Sequence, residues 1–390
     1  MSQTRIIHLY RRFRPEFTGD GIYYEHLIPL MAELGTTHIV LAFDTPTPAS
    51  IPNFNFQIHY LTSSAGERLS FALISWLWAN RNNFDVLHIH SHVDRTFLSY
   101  WFARFLGLRV IYSSTLEDSA DELLAAYRPS FRPLVRLLFH GIEFFVGNSP
   151  RLYSGKSPWI GSRRATVIPQ GTTYPTLISS EDREGLRRSF GIESSDIVLL
   201  YVGSICARKG ILSLISTFAL SAANNRHIRL IMVGPVIEPE YGANVFRNIE
   251  EASLTDRVMH VAFAENVRPY YQISDVFVFA SYNEGFPNVL LEAMSFGLPI
   301  VSRVIPEVTD TFIEDGYSGY LFLSDDFHVV LDDVIANLAR GKVMGEHARQ
   351  RVHDSFLITE IARRYVSLYE STVRRHSLPD TLPKKISELR

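Results

Sequence analysis

Val276-Phe277-Val278-Phe279-Ala280-Ser281-Tyr282-Asn283-Glu284-Gly285-Phe286-Pro287-Asn288-Val289-Leu290-Leu291-Glu292-Ala293-Met294 reads as a buried strand, a turn and the start of a helix. Four consecutive apolar residues, β-branched alternating with aromatic, fit a strand covered on both faces. Gly285 marks the turn, and Pro287 suits a first helical turn, where its missing N–H is not needed. The helix-forming run that follows directs free backbone N–H groups and the positive dipole end toward the strand's carboxyl end. The stretch is therefore half of a parallel βαβ unit and an anion site.

Outward from it, short apolar runs alternate with amphipathic stretches along nearly the whole chain. One series comprises Ile6 to Tyr10, His38 to Phe43, Val86 to His90, Val110 to Ser113, Phe144 to Gly147 and Thr166 to Ile168. A second comprises Ile197 to Val202, Ile228 to Val233, Val258 to Phe263, Val276 to Phe279 and Pro299 to Ser302. The pattern predicts an α/β protein of two doubly wound domains. Gln170-Gly171-Thr172-Thr173-Tyr174-Pro175, rich in turn formers, predicts the hinge, giving domains over 1–175 and 176–357. Residues 358–390 predict a helix, from Thr359 to about His376, that packs back on the N-terminal domain, and then a loose tail.

Composition narrows the function. The 390 residues are 46% hydrophobic and 20% charged, an ordinary globular balance. Lys plus Arg number 38 against 41 Asp plus Glu, which argues against a nucleic-acid partner held by a strong basic field. The lone cysteine, Cys206, allows no internal disulfide and no Cys-pair zinc site, as expected of a cytoplasmic chain. No apolar stretch approaches the roughly 20 residues that span a bilayer, and the first strand lacks a signal-peptide layout.

Three loops after strands carry candidate chemistry. Glu284 and Glu292 flank the anion site, and carboxylates suit sugar hydroxyls because they only accept hydrogen bonds. Tyr201-Val202-Gly203-Ser204-Ile205-Cys206-Ala207-Arg208-Lys209-Gly210 offers a backbone approach at Gly203 and a diphosphate-neutralising pair, Arg208 and Lys209. Gly210 stands where a P-loop needs Ser or Thr. Lys209 is one of only five lysines, which hints that a lysine is wanted there. Gly19-Asp20-Gly21 reads as a glycine loop or a plain turn, and Tyr24 excludes a dinucleotide fingerprint.

Other groupings point less clearly. His88, His90 and His92 would share a strand face, but the strand ends near His90 and no carboxylate partner is indicated, so no metal site is expected and His90 is assigned to the acceptor side. No Asp-x-Asp pair sits at a strand end. All four tryptophans (76, 78, 101, 159) lie in the N-terminal half, with Arg128, Arg132 and Arg136 at helical spacing. They suit peripheral contact with an anionic membrane, or equally a core with a solvated arginine face.

Together these motifs resemble the family-4 glycosyltransferases. The E-x7-E signature stands as Glu284 to Glu292, followed by Phe296-Gly297-Leu298-Pro299 and by Glu314-Asp315-Gly316 in the family's order. Asp85 to His90, Pro169-Gln170-Gly171 and Val202-Gly203 match more weakly. The chain departs from the family at Ser204, where many members have arginine, at Asp20, which splits paired glycines, and at Ser113-Ser114-Thr115, where many have histidine. The resemblance implies the GT-B fold, two Rossmann-like domains facing a central cleft, and a retaining, metal-independent transferase without a cofactor. A nucleoside-diphosphate sugar would bind at Gly19, Gly21, Ser204, Arg208, Lys209, Glu284, Gly285, Phe286, Asn288, Val289, Leu290 and Glu292. Glu284 and Lys209 would be catalytic, with Glu284 on the sugar and Glu292 on the ribose. The expected acceptor is a glycan or lipid-linked saccharide of cell-surface polysaccharide synthesis, met in the cytoplasm at the inner face of the plasma membrane. A nucleotide-sugar isomerase or epimerase on the same fold and a catalytically silent partner are the rival readings.

Overall fold

The computed structural model describes residues 3–11, 13, 19–43, 55–61, 69–90, 97–114, 128–153, 160, 164–323 and 326–374. Two compact units share the chain: Met1–Gln170 with Ile358–Arg390, and Gly171–Leu357. The expected hinge residues after Gln170 belong to the second unit. The Thr172 N–H donates to Phe356 O at 2.8 Å, Arg349 donates to Pro175 O at 2.7 Å, and its guanidinium lies 4.2 Å over the Tyr174 ring. Those contacts tie Thr172, Tyr174 and Pro175 to that unit, and the division between the units, after Gln170, falls inside the expected hinge stretch.

In the first unit seven strands, β1 (Arg5–Tyr10), β2 (Thr37–Ala42), β3 (Gln57–Tyr60), β4 (Val86–Ile89), β5 (Arg109–Ser114), β6 (Phe144–Gly147) and β7 (Ala165–Val167), form a parallel sheet in the order β3-β2-β1-β4-β5-β6-β7. Its helices are α1 (Gly19–Glu33), α2 (Leu69–Ala79), α3 (Phe97–Phe105), α4 (Arg132–Phe139) and, from the end of the chain, α13 (Ile358–Val373). Alternation along β1 sorts the two faces. Ile7 and Leu9 join Leu73, Leu77, Tyr100, Val135 and Phe139 under α2, α3 and α4. Ile6 and Tyr10 join Tyr24, Leu27, Ile361, Tyr365 and Leu368 under α1 and α13. The last helix of the chain thus completes the first core.

The second unit holds β8 (Ile197–Val202), β9 (Ile228–Val233), β10 (Val258–Val261), β11 (Val276–Phe279), β12 (Ile300–Arg303) and β13 (Tyr320–Phe322), all parallel, ordered β10-β9-β8-β11-β12-β13. Around them lie α5 (Ser180–Ser189), α6 (Ile211–Asn224), α7 (Pro239–Glu251), α8 (Arg268–Ile273), α9 (Asn288–Ser295), α10 (Thr309–Phe312), α11 (Phe327–Ala336) and α12 (Leu338–Ser355). Leu214, Phe218, Val245 and Leu331 cover one face, and Tyr271, Leu290, Met294 and Val352 the other. In each sheet the strand order reverses direction once, between β1 and β4 and between β8 and β11. Ligands of doubly wound sheets bind at the carboxyl ends of strands at such a reversal.

Candidate active site

At the reversal in the second sheet, the loops after β8, β9 and β11 are locked together through glycines. Gly203 (φ 152°) and Gly234 (φ 143°) touch so closely that a Cβ on Gly234 would lie 2.1 Å from Gly203 O. Gly210 takes the left-handed conformation at φ 69°, and a Cβ there would meet Ala280 O at 2.2 Å. Only glycine permits that approach. It seats the 3-10 turn Ala207–Lys209 against the strand-β11 loop, where the Tyr282 N–H donates to Arg208 O at 2.9 Å and Arg208 Nη1 to Asn283 O at 2.7 Å. Arg303, buried at the end of β12, donates to Ala280 O at 3.0 Å and stacks 4.4 Å from the Tyr282 ring.

This scaffold brings Glu284 to Arg208 and Lys209, at least 75 positions before it in sequence. Glu284 Oε1 lies 2.8 Å from Arg208 Nη1 and 2.7 Å from Lys209 Nζ, in ion-pair contact but without hydrogen-bond alignment. Glu284 is 7% exposed, so its charge needs both cations. Ser281 Oγ, Asn283 Oδ1 and Asn288 Oδ1, in the same loop and helix start, are buried polar atoms without a protein partner. Native structures pair nearly all such atoms, so three orphans in eight residues mark a place for a polar ligand.

Helix α9 opens on Pro287 with no side-chain cap. The backbone N–H groups of Gly285, Phe286, Asn288 and Val289 have no acceptor among the described residues. Two details differ from the sequence reading. Pro287 is the residue before the helix, not its first turn. The Leu290 N–H donates to Pro287 O at 3.0 Å, and the Leu290 side chain is fully buried, so Leu290 offers a ligand no donor. The cause is a tightened first turn. Glu292, half-buried, accepts from the Tyr271 hydroxyl at 2.8 Å; burial pushes its carboxyl above the usual range, and the tyrosine bond offsets part of that. Ser204 uses its carbonyl to accept from Tyr201 Oη at 2.8 Å, while Cys206 is packed away at 2% exposure.

In the first unit Gly19 and Gly21 of the expected glycine loop lie in the first turn of α1; the residues just before them, 14–18, fall outside the described residues. His90 follows β4 and is buried, 4.5 Å from and parallel to the Tyr10 ring. His92 and Trp159 lie outside the described residues. His88 and His90 are joined instead by His8 and His38, which sequence reasoning missed. His8 Nδ1 lies 2.8 Å from His90 Nε2, and His8 Nε2 lies 2.9 Å from His38 Nδ1. His88 bonds Tyr369 and Ser113. Ring nitrogens of His8, His88 and His90 lie within 4.8 Å of one another, a spacing a metal ion could use. Both nitrogens of His8 and both of His88 are nevertheless engaged in hydrogen bonds, and no carboxylate belongs to the group. Desolvation lowers all four imidazole pKa values, to about 4 at His38 and about 3 at His88, so the rings are neutral. The available signal was one histidine interrupting each of three apolar strands.

The likenesses of this chain lie among glycosyltransferases. Residues 182–351 match the model of the family described as glycosyl transferases group 1. The chain is similar to N-acetyl-alpha-D-glucosaminyl L-malate synthase of Bacillus anthracis, 26% identical over 76% of this chain and 77% of that one. It is also similar to the capsular polysaccharide biosynthesis glycosyltransferase CapM of Staphylococcus aureus, 25% identical over 46% of this chain and 48% of that one. In fold it resembles the Anabaena protein Alr3699/HepE, solved in complex with UDP and glucose, with a TM-score of 0.76 at 16% identity over 95% of this chain and 100% of that one.

Proposed function

We propose that the protein is a retaining glycosyltransferase that takes a sugar from a nucleoside-diphosphate sugar, needs no metal, and acts in polysaccharide synthesis. The observation that carries the reading is the Arg208–Lys209–Glu284 cluster beside the uncapped start of α9, at the strand reversal of the second sheet. Lys209, Arg208 and the free N–H groups of Phe286, Asn288 and Val289 bind the diphosphate and take up the charge that grows on it as the glycosidic bond breaks. Those donors do the work that a divalent cation would otherwise do. Glu284 accepts hydrogen bonds from the sugar, with its carboxylate held by the same two cations. Glu292, oriented by Tyr271, accepts from the ribose. The acceptor oxygen attacks the face from which the diphosphate leaves, its proton passes to a phosphate oxygen, and the configuration at the anomeric carbon is kept.

Acceptor recognition is assigned to the first unit, and with it contact with an anionic membrane. Trp78, Trp101, Phe105, Phe131, Leu134 and Leu137 on or beside α2, α3 and α4 are each at least 41% exposed. The described residues 69–84, 97–110 and 128–142 contain no Asp or Glu but do contain Arg81, Arg104, Arg109, Arg128, Arg132 and Arg136. Of these, Arg104 and Arg109 are paired with Glu143. Apolar side chains among cations complement an anionic lipid surface. Trp76 instead packs inward beside Phe84.

A panel of nucleoside-diphosphate sugars, with and without excess EDTA, tests the enzyme: nucleoside diphosphate should be released with at least one donor and EDTA should not reduce it. Isomerised donor without transfer, or loss of turnover in EDTA restored by Mg2+, overturns the reading at the corresponding step. The anomeric configuration of the product checks retention.

A further inference from the structure

The histidines at the strand reversal of the first sheet are neutral, and a neutral imidazole has one donor nitrogen and one acceptor nitrogen. Which is which follows from the far end of the chain. Thr36 Oγ1 donates its only proton to Met31 O at 2.6 Å, since a carbonyl can only accept. Toward His38 Nε2, 2.7 Å away, Thr36 Oγ1 must therefore accept. His38 then carries its proton on Nε2 and accepts at Nδ1 from His8 Nε2–H. His8 in turn accepts at Nδ1 from His90 Nε2–H. His90 is left with a bare lone pair on Nδ1, and that atom is buried without a partner.

His90 is fully buried and sits immediately beyond β4, stacked on Tyr10 at the end of β1, the two strands between which the order reverses. A buried, unpaired acceptor at the position where doubly wound sheets bind ligands calls for a hydrogen-bond donor. A bare nitrogen selects against carboxylates and phosphates, which bring lone pairs of their own. We propose that Thr36, His38 and His8 form a one-way hydrogen-bond relay that holds His90 in a single tautomer, so that its Nδ1 receives a hydroxyl of the saccharide acceptor. The ligand half of this proposal rests on the transferase reading; the relay does not. His90 orients the hydroxyl, and Thr36, His38 and His8 are positioning residues that touch no substrate.

Nitrogen-15 NMR of the full chain labelled at histidine reads the relay directly. At pH 7.5 His8, His38 and His90 should all show protonated Nε2 and bare Nδ1. A protonated Nδ1 or a charged ring at His90 overturns the relay. Thr36→Val is isosteric but removes the hydroxyl, so the single-tautomer signature of His90 should be lost, while Thr36→Ser should retain it. An unchanged His90 in Thr36→Val would show that Thr36 does not set the direction. Adding methyl α-D-glucopyranoside as a neutral hydroxyl probe should move the His90 Nδ1 resonance, and glucose 1-phosphate should move it less. No movement with the glucoside removes the hydroxyl assignment. Failure of the transferase reading would appear separately, as no nucleoside diphosphate released by the wild-type chain.

Discussion

Glu284 and Glu292 belong to one motif but have different surroundings, and their substitutions should separate. Glu284 is held between Lys209 and Arg208. On the proposed reading Glu284→Ala should lower kcat sharply, because the sugar would lose a contact that must persist as the bond breaks. It also frees two cations, so the free nucleoside diphosphate should bind at least as tightly as to wild type. On the proposed reading Glu292 meets a part of the donor that does not change in the reaction, and binding shared by ground and transition states appears in KM. Glu292→Gln should raise donor KM by one charged hydrogen bond, about 1.5 to 3 kcal/mol or roughly 10- to 150-fold, and weaken inhibition by the diphosphate alongside it. Lys209→Ala should weaken donor and free diphosphate together and, because it leaves the buried Glu284 carboxylate with Arg208 alone, should lower the melting temperature without unfolding the chain. Steady-state kinetics with diphosphate competition check all three, and interchangeable glutamate variants would defeat the division of roles. Both glutamates and Lys209 were legible because each stands in a short local pattern of loop and helix start. Tyr271 was not: it reaches Glu292 from 21 positions away, across the short helix before β11.

At the scale of elements, the two site loops are held by a glycine contact that sequence reading treated only as a missing P-loop residue. Gly210 and Gly191 share a left-handed conformation, φ 69° and 68°, but an added Cβ would strike Ala280 O at 2.2 Å at Gly210 and meet nothing within 4 Å at Gly191. Gly191→Ala should cost about 1 to 2 kcal/mol from the backbone alone and leave donor affinity unchanged. Gly210→Ala should cost a further 1 to 3 kcal/mol or so and displace the loop that carries Glu284, with loss of donor binding. Melting curves and donor titration on the pair decide it; equal behaviour would mean that the contact does not position the site. Helices α2, α3 and α4 make a second element-scale prediction. Full-length protein should float with anionic vesicles and not with neutral ones, and replacing Arg128, Arg132 and Arg136 by Gln should weaken binding by about 1 kcal/mol each, some 100-fold together. Equal, negligible binding to both vesicles would remove the membrane contact. The parallel sheets were readable from buried apolar runs, whereas β3 and β13 were not. Gln57-Ile58-His59-Tyr60 is a half-exposed edge strand without such a run, and β13 is three residues long at the other sheet's edge.

The two units differ in what they bury, and the buried histidines give the first an acid sensitivity of its own. His8, His38, His88 and His90 are buried and neutral, with folded pKa values depressed by desolvation, about 4 for His38 and about 3 for His88. The unfolded chain takes up a proton at each near pH 6.5. Their contribution to stability is therefore fully present above pH 6.5 and is lost as pH falls from there toward the depressed folded values. Tyr10, Tyr24, Tyr365 and Tyr369 pack around the rings, and tyrosines titrate near pH 10 or above, outside this window. Asp85, whose pKa burial raises but Arg5 lowers by more, acts only below about pH 4. Each buried histidine should cost about 1.4 kcal/mol per pH unit below 6.5, so the first unit should lose on the order of 5 kcal/mol between pH 7.5 and 5.5. All four tryptophans fall within Met1–Gln170, so their fluorescence in urea follows the first unit alone, while loss of donor binding follows the second. The fluorescence midpoint should drop steeply over that range, the donor-binding midpoint should drop less, and His88→Gln should remove about a quarter of the fluorescence slope. A fluorescence midpoint that stays constant from pH 7.5 to 5.5 would mean that the histidines are already charged, or solvated, in the folded protein.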